Sequence, residues 1–415
     1  MSTTESFTLN FAGDVMLGRL VDQLFPEHVH NTQDQEIAAS FARKYPSIAG
    51  KGNYTHSSPW GTTLPLFQNS DLNIINLETS VTSTEEPWPN KTFNYRMHPA
   101  NLAPTLNSAC IDFANLANNH TLDFGSEGLI ETTWTLKRAK IRFAGAGETV
   151  DEAFKPGKLC LPRRENRDCS ADANAEPGTQ RSENEHSVHI YCASDHPRDW
   201  SVVPNFHFID YSPSTRVKLR SLLLSGGNTS HPDEDDPESD LYHHTVHHHH
   251  DIKSKPPALK IFSVHWGPNY SWNPAEKIRS LAHFLIDECD VDIVHGHSSH
   301  HVQGVEVYRG KLIIYGCGDF VDDYVLHEEF RNDLGAVWRV IVQEEEVEGR
   351  KGLRPVRLEI CPTRIDKFRA MLLEPGDQDH IWVKRKITAL SRDLGTQVRQ
   401  NLGEEGQLIV DIARR

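Results

Sequence analysis

Residues 292–319, DIVHGHSSHHVQGVEVYRGKLIIYGCGD, place a group of histidines directly after an apolar strand pattern at residues 291–294. The histidines are His295, His297, His300 and His301. Side chains at the carboxyl end of a strand can converge on a ligand, and neutral imidazole is a common ligand of zinc, manganese and iron. A solvated, histidine-rich loop is the alternative. Two further strand patterns, residues 303–308 and 311–316, follow at once and favour a metal site.

Length, charge and cysteine content narrow the class of protein. The 415 residues suffice for one large domain with insertions or for two domains. A formal net charge of −15, with no basic patch evident, argues against nucleic acid as a partner. The sequence has neither a long apolar run nor a secretory signal at its start, so we expect a soluble, cytoplasmic protein without a membrane anchor. Seven cysteines without CxxC spacing indicate reduced thiols.

Polar residues that suit metal ions follow other apolar strand patterns in the same way. They are Asp14 after residues 7–12, Glu78 after residues 71–76, Asn119 and His120 after residues 111–117, and His265 after residues 259–264. Taken alone, Asp14 is more typical of a turn or a helix cap. The repeated order of strand followed by ligand is what favours one shared site.

Basic residues near these strand ends are candidates for binding an anionic substrate. Arg19 lies just beyond the first strand end, and the loop of residues 87–99 contains Lys91, Arg96 and His98. Charged residues in such loops are more often merely solvated. The sequence therefore identifies these side chains as candidates but does not show that they lie in the site.

Two stretches contain too few apolar residues to fold by themselves. Residues 160–186 and residues 225–257 are predicted to be disordered insertions, because neither can bury enough surface to offset the entropy of ordering. The run of histidines at residues 247–250 is interpreted as low-complexity sequence and not as a metal site. Residues 22–61 are polar and interrupted by prolines, which predicts irregular surface structure or a lid.

Helix patterns connect the strands. Residues 126–140, with Ser126 as the predicted cap, and residues 274–288 read as amphipathic helices. Strand, helix and strand in succession imply parallel pairing in a layered sheet.

The chain after Asp319 changes in character. Residues 336–342 and 356–361 predict a second, antiparallel sheet, and a helix at 379–399 precedes an edge strand at 407–412. We therefore expect residues 1–345 to form one domain with the two insertions. Residues 346–415 should complete the same domain.

Five motifs, taken in order, resemble the poly-γ-glutamate capsule biosynthesis (CapA/PgsA) family of the calcineurin-like metallophosphatase superfamily. They are GDVMLGR, NLETSVT, ANNHTLDFG, VHWGPNY and GHSSHHVQGVEVYRGKLIIYGCGDF. The resemblance covers roughly residues 7–322 without the insertions. It implies an α/β fold, a four-layer metallophosphatase-like sandwich in which helices flank two mixed β-sheets.

The same resemblance implies a site for one or two divalent cations, either manganese, zinc or iron. Its ligands would be Asp14 and His300 for the first ion, Glu78 near or bridging both ions, and Asn119, His265 and His297 for the second. Two positions depart from related patterns. Met16 stands where many metallophosphatases have a histidine, and Asp319 stands where the family often has asparagine.

By the same resemblance the protein is expected to be a metal-dependent hydrolase linked to poly-γ-glutamate-type biosynthesis. The bond would be a phosphate ester or a γ-glutamyl or other amide bond. His120 would protonate the leaving group and Arg19 would assist catalysis, while Arg96 and His98 would bind an anionic small molecule or polymer. The alternative is a non-catalytic, metal-containing accessory protein that binds an acidic polymer or assists a synthetase.

Overall fold

The structure is a computed structural model that describes residues 5–50, 52–162, 185–226, 256–347 and 350–413. Within these residues strands and helices alternate over most of the chain. The strands are β1 (Ser6–Val15), β2 (Leu72–Leu77), β3 (Ser80–Val81), β4 (Arg96–Met97), β5 (Phe113–Asn115), β6 (Arg142–Ala144), β7 (Gly157–Leu161), β8 (His186–Ser194), β9 (Leu259–His265), β10 (Ile293–His297), β11 (Val305–Tyr308), β12 (Lys311–Ile314), β13 (Asp319–Val321), β14 (Leu334–Val347), β15 (Arg350–Ile365), β16 (Ala370–Leu372) and β17 (Leu408–Asp411).

The helices connect these strands and cover the outer faces of the sheets. They are α1 (Arg19–Asp22), α2 (Thr32–Lys44), α3 (Pro46–Ala49), α4 (Leu64–Gln68), α5 (Pro99–Ser108), α6 (Gly125–Arg138), α7 (Val150–Phe154), α8 (Pro213–Leu224), α9 (Glu276–Cys289) and α10 (Gln378–Asp393), with 3₁₀ helices at Ser58–Thr63 and Arg198–Val202. No helix among the described residues is both long and apolar enough to cross a membrane.

Two mixed sheets form the centre of the molecule. The first has the order β16-β15-β14-β1-β2-β5-β6, with β13 beside β1 and β17 beside β15. Its strands β1, β2, β5 and β6 are parallel, whereas β14 runs antiparallel to β1. The second has the order β11-β12-β10-β9-β8-β7, parallel from β8 to β12 and antiparallel at both edges.

Side-chain alternation along the strands places one core between the sheets and one beneath each helical layer. Leu9 and Phe11 of β1 meet Ile261 of β9 in the core between the sheets. On the outer faces, Leu77 packs in a core that includes residues of α5 and α6, and Phe262 in a core that includes residues of α8 and α9. The predicted α/β class, with two mixed sheets flanked by helices, is confirmed.

The predicted antiparallel pairing of the strands after Asp319 is confirmed, since β14 pairs antiparallel with β15, but the prediction that they form a separate sheet is wrong. β14 pairs with β1 from Ser6 opposite Gln343 to Phe11 opposite Trp338, so β14 and β15 extend the first sheet. The alternating pattern identifies these stretches as strands, but it carries no information about which strand they join. Strand β17 pairs with β15 at the outer part of this sheet.

Residues 22–61 are also more regular than the sequence suggested. Two of the prolines that read as breaks, Pro46 and Pro59, lie in the first turns of α3 and of the first 3₁₀ helix, where a missing N–H costs nothing. Asn31 caps α2, and Trp60 is fully buried with its indole N–H donating to the Thr105 carbonyl at 2.9 Å.

Two helices begin or end at positions other than those predicted. Helix α6 begins at Gly125 without a side-chain cap, so the role given to Ser126 is wrong. Helix α10 ends at Asp393, six residues early, because the chain turns at Gly395 with φ of 81°.

The predicted insertions lie almost entirely outside the described residues, as does the histidine run at 247–250. Their described ends include Cys160 in β7 and His186 in β8. Five of the described cysteines, Cys160, Cys192, Cys289, Cys317 and Cys361, have free thiols.

Gly13 allows β1 and the segment before β13 to lie against each other. A Cβ atom there would overlap the carbonyl oxygen of Gly318 and lie 2.9 Å from Cβ of Cys317. Gly13→Ala should therefore lower the free energy of unfolding by about 1–3 kcal/mol, measured by urea denaturation. Gly376→Ala is the matched control, since a Cβ there meets no atom within 4 Å. Equal stability of the two variants would contradict this packing.

Candidate metal centre

The carboxyl ends of the central strands of both sheets lie at one edge of the sandwich. In the first sheet Asp14 is opposite Asn76 of β2 and opposite Asp319 of β13. In the second sheet His297 at the end of β10 is opposite His265 at the end of β9. Parallel pairing therefore brings to one place polar residues that are as far apart in the chain as Asp14 and Asp319.

Two groups of ligand atoms share Asp14. The first contains Asp14, His265 and His297, and the second contains Asp14, Glu78, His300 and Asp319. Oδ1 of Asp14 lies 3.8 Å from Nδ1 of His297 and 4.0 Å from Nδ1 of His265, while Oδ2 lies 3.9 Å from Nδ1 of His300. Ligands about 2.1 Å from one cation lie roughly 3–4 Å apart. Asp14 is thus placed between two candidate cation positions, the place that the resemblance offered to Glu78.

Buried oxygen atoms without partners indicate that these residues suit a cation. Both carboxylate oxygens of Glu78, Oδ2 of Asp319 and Oδ1 of Asn119 are buried and have no hydrogen-bond partner among the described residues. Leaving a buried polar atom unpaired is costly, and such atoms are rare in folded proteins. A divalent cation would supply the missing interaction for hard oxygen donors of this kind. The donor set therefore fits a cation.

Burial shifts the titration of the whole group. It raises the pKa of Asp14 to about 6 and, together with the neighbouring carboxylates, raises the pKa of Glu78 and of Asp319 well above the ordinary values. Burial also lowers the pKa of His265 and His297 well below the usual range, so both imidazoles are neutral and can act as ligands. A bound cation would favour the ionised carboxylates over the protonated ones.

The four histidines of β10 and of the loop after it fall into two pairs. His297 and His300 enter the two ligand groups. The ring of His295 instead hydrogen-bonds the carbonyl of Ala12 at 3.1 Å, and that of His301 hydrogen-bonds the carbonyl of Val302 at 3.0 Å. His300 has a φ of 60°, a left-handed conformation rare in non-glycine residues and often found at functional sites.

Buried asparagines orient the ligands, and the sequence reasoning missed them. Asn76 Nδ2 donates to Oδ1 of Asp14 at 2.7 Å, and Nδ2 of Asn115 lies 2.7 Å from Nε2 of His297. Both lie inside otherwise apolar strands, LNIINL and FAN. A polar residue within a buried strand must find a partner, so this pattern was a usable signal.

His120 lies beside the ligand groups with one ring nitrogen held in place. Its Nδ1 hydrogen-bonds Oδ2 of Asp123 at 2.6 Å, and its ring stacks on Tyr95 with 3.9 Å between centroids. Lys91 Nζ forms an ion pair with the other oxygen of Asp123 at 2.6 Å. Nε2 makes no hydrogen bond to the described residues. Burial lowers the pKa of His120, so the neutral ring offers a lone pair at this atom.

A second histidine–aspartate pair follows β8, and the sequence analysis named neither of its residues. His196 Nδ1 hydrogen-bonds Asp195, which also accepts from the Tyr211 hydroxyl at 2.6 Å. The ring of His196 lies 4.8 Å from that of His265. The signal was the repeated pattern itself, because Asp195 and His196 follow an apolar strand as His265 does.

Three of the basic candidates, Arg19, Arg96 and His98, occupy different surroundings. Arg19 Nε lies 3.4 Å from Asp323 and its guanidinium 5.3 Å from the Tyr95 ring, close to His120. The guanidinium of Arg96 donates to backbone carbonyls of Ser83, Thr84 and His30, and the His98 ring caps α5 by accepting from the Ala100 N–H. These contacts hold loops together and lend no support to a substrate-binding role for Arg96 and His98.

The shared position of Asp14 predicts how metal content responds to substitution. Asp14→Asn should lose both ions, whereas His297→Ala should lose mainly the ion of its own group, as measured by elemental analysis of purified protein. His301→Gln, the matched control, should keep its metal because His301 belongs to neither ligand group. Deleting residues 247–250 should also leave the metal in place. Metal lost on that deletion but kept in His297→Ala would mean that the centre is elsewhere.

Comparison with known proteins shows the family to which the chain belongs. Residues 8–324 match the family described as bacterial capsule synthesis protein PGA_cap. A probable polyglutamine synthesis accessory protein of Mycobacterium tuberculosis is 31% identical over 402 residues, which are 94% of this chain and 93% of that protein. The capsule biosynthesis protein CapA of Bacillus anthracis is 23% identical over 77% of this chain and 60% of its own length. The PGA biosynthesis protein CapA of Bacillus subtilis is 22% identical over 76% of this chain and 63% of its own length. The family match spans most of the chain and includes every residue of the two ligand groups, so the chain belongs to the PGA_cap family of bacterial capsule synthesis proteins.

Proposed function

We propose that this protein is a metal-dependent hydrolase that cuts a phosphate ester or a γ-glutamyl amide bond in poly-γ-glutamate-type biosynthesis. The observation that carries the proposal is the position of His120, held by Asp123, beside two ligand groups that share Asp14. Ligands that serve only stability do not need a proton-transfer group next to them.

The metal requirement follows from the donor set. Asp14, Glu78, Asn119, His265, His297, His300 and Asp319 are the side chains that would hold one or two divalent cations. Their mixture of imidazole nitrogen and carboxylate oxygen suits manganese, zinc or iron. When bound, such ions supply Lewis acidity at the substrate and lower the pKa of water.

The protein's own residues would then transfer and direct protons. His120 accepts a proton at Nε2, and Asp123 stabilises the resulting imidazolium through Nδ1. The protonated ring can then donate to the leaving group. Stacking on Tyr95 keeps the ring in one orientation, and Arg19 beside Tyr95 provides positive charge for an anionic substrate.

A second function is supported by the names of relatives. The Mycobacterium tuberculosis protein is described as a probable accessory protein, which is compatible with metal binding that holds an acidic polymer or assists a synthetase without turnover. Bound metal with no turnover on any substrate class would favour this second function.

A substrate screen separates the two functions. Metal-loaded protein should release product from at least one of a phosphomonoester, a phosphodiester and a γ-glutamyl amide, and chelation should abolish that release. Turnover that survives complete removal of metal would contradict the proposed mechanism.

The role of His120 can be isolated by one substitution. His120→Ala should keep its metal and lower kcat by a factor of about 10²–10⁴, because a proton donor is lost and no ligand is. The loss should be smaller for an activated nitrophenyl substrate, whose leaving group needs no proton. His301→Gln serves as the control for removing a buried imidazole nearby. An equal loss on activated and unactivated substrates, or loss of metal, would argue against proton donation.

A further inference from the structure

Helix α10 carries cations that no described residue neutralises. Lys384, Arg385, Lys386 and Arg392 form no ion pair within the described part of the chain, although the whole sequence has a net charge of −15. Asp379 on the same helix is already paired, with Arg331 at 3.0 Å and Arg364 at 2.8 Å. The net charge of the whole chain does not reveal this surface, because it sums over all residues whereas these four cations lie on one helix.

Two clefts flank the exposed face of α10. One has a cavity volume of about 450 Å³ and is lined by Arg331, Trp382, Arg385 and Lys386 among others. The other has a similar volume and includes Lys384, Arg385 and Arg392. Arg385 borders both clefts, so the cationic surface continues from one side of the helix to the other.

An aromatic run connects the first cleft with the metal centre. Lys386 Nζ lies 3.7 Å from the ring centroid of Trp272, and Trp272 stacks on Phe330 with 4.7 Å between centroids. Phe330 lies 5.5 Å from Tyr270, whose ring lies 5.7 Å from that of His300 in the second ligand group. Trp272 and Tyr270 are partly exposed, so this run borders the surface between the cleft and the centre.

We infer that the exposed face of α10 between the two clefts, with Trp382, Lys384, Arg385, Lys386 and Arg392, is a docking site for a polycarboxylate chain that extends along Tyr270 and Trp272 to the metal centre. Several cations on one helix can contact successive carboxylates of an acidic chain at once. The inference deepens the proposed function and relies on it for the reaction at the centre, but docking itself requires no turnover.

Charge and ring geometry favour a polycarboxylate over a nucleic acid. Lys386 lies over the face of Trp272, so that face is not free to stack on a base. The acidic remainder of the protein would also repel the denser charge of a phosphate backbone.

Binding of purified poly-γ-glutamate to the full chain tests the inference without any turnover. Titration in about 50 mM salt, followed by tryptophan fluorescence and calorimetry, should give a dissociation constant below about 1 mM that weakens as salt rises. The triple variant K384Q, R385Q and K386Q should bind about tenfold more weakly, since each exposed cation contributes only modestly. Asp14→Asn, expected to lack metal, should still bind, so a failed hydrolase assay and failed docking are distinguishable.

Matched variants keep the test decisive. Replacing Arg43, Lys44 and Lys218 by Gln removes the same charge from exposed positions on α2 and α8 and should leave binding unchanged. K384R with K386R keeps the charge and should bind like the parent, which separates charge from a folding defect. The inference is overturned if the parent does not bind, if the two triple variants bind equally, or if single-stranded DNA or polyphosphate of equal charge binds as tightly as the polycarboxylate.

Discussion

The burial of several carboxylates within a few ångströms of one another is the constraint on which the site depends. Asp14, Glu78 and Asp319 are almost completely buried, and each like charge makes ionisation of the others less favourable. Buried charge is tolerated only where opposite charge or strong hydrogen bonding compensates it. Asn76 supplies part of that compensation for Asp14, while Glu78 has no such partner among the described residues. The arrangement therefore suits a cation. The surrounding fold holds the carboxylates together despite their mutual repulsion.

The surrounding fold keeps these carboxylates in place because neighbouring strands hold β1, the strand of Asp14, from both sides. Strand β1 pairs with β2 on one side and with β13 and β14 on the other. The Trp338 indole N–H of β14 donates to the carbonyl of Cys317 at 3.1 Å and so fixes the segment that leads to Asp319. Strand β14 thus supports the metal centre although it contributes no ligand to it.

Helix α10 belongs to the same rigid framework. Val383 and Ile387 are buried in the core between the sheets, and Ser391 Oγ accepts from the N–H of Val305 at 3.0 Å. Its cationic face is therefore fixed relative to β11 and to the loop of His300. An acidic chain docked there would approach an acidic centre, and bound cations would turn repulsion into attraction at that end. Metal binding and polymer docking would therefore both depend on how the carboxylates of the centre and the cations of α10 are distributed.

The sequence by itself determined the local part of this protein. Strand-end positions of Asp14, Glu78, His265 and His297 could be predicted, because a run of alternating or apolar residues that ends in a polar side chain is visible without any partner. The α/β class follows from the same alternation together with the helices between strands. Family resemblance then added the layered architecture.

Only the tertiary structure decided how these local pieces meet. It paired β14 with β1, placed Asp14 between two ligand groups, and brought Asp195 and His196 beside His265. It also assigned Arg96 and His98 to backbone contacts and placed Lys386 of α10 over the ring of Trp272. The physical reason is that periodicity and strand ends are properties of neighbouring residues. Strand order and register depend on hydrogen bonds and packing between segments far apart in the chain, and no local pattern encodes them.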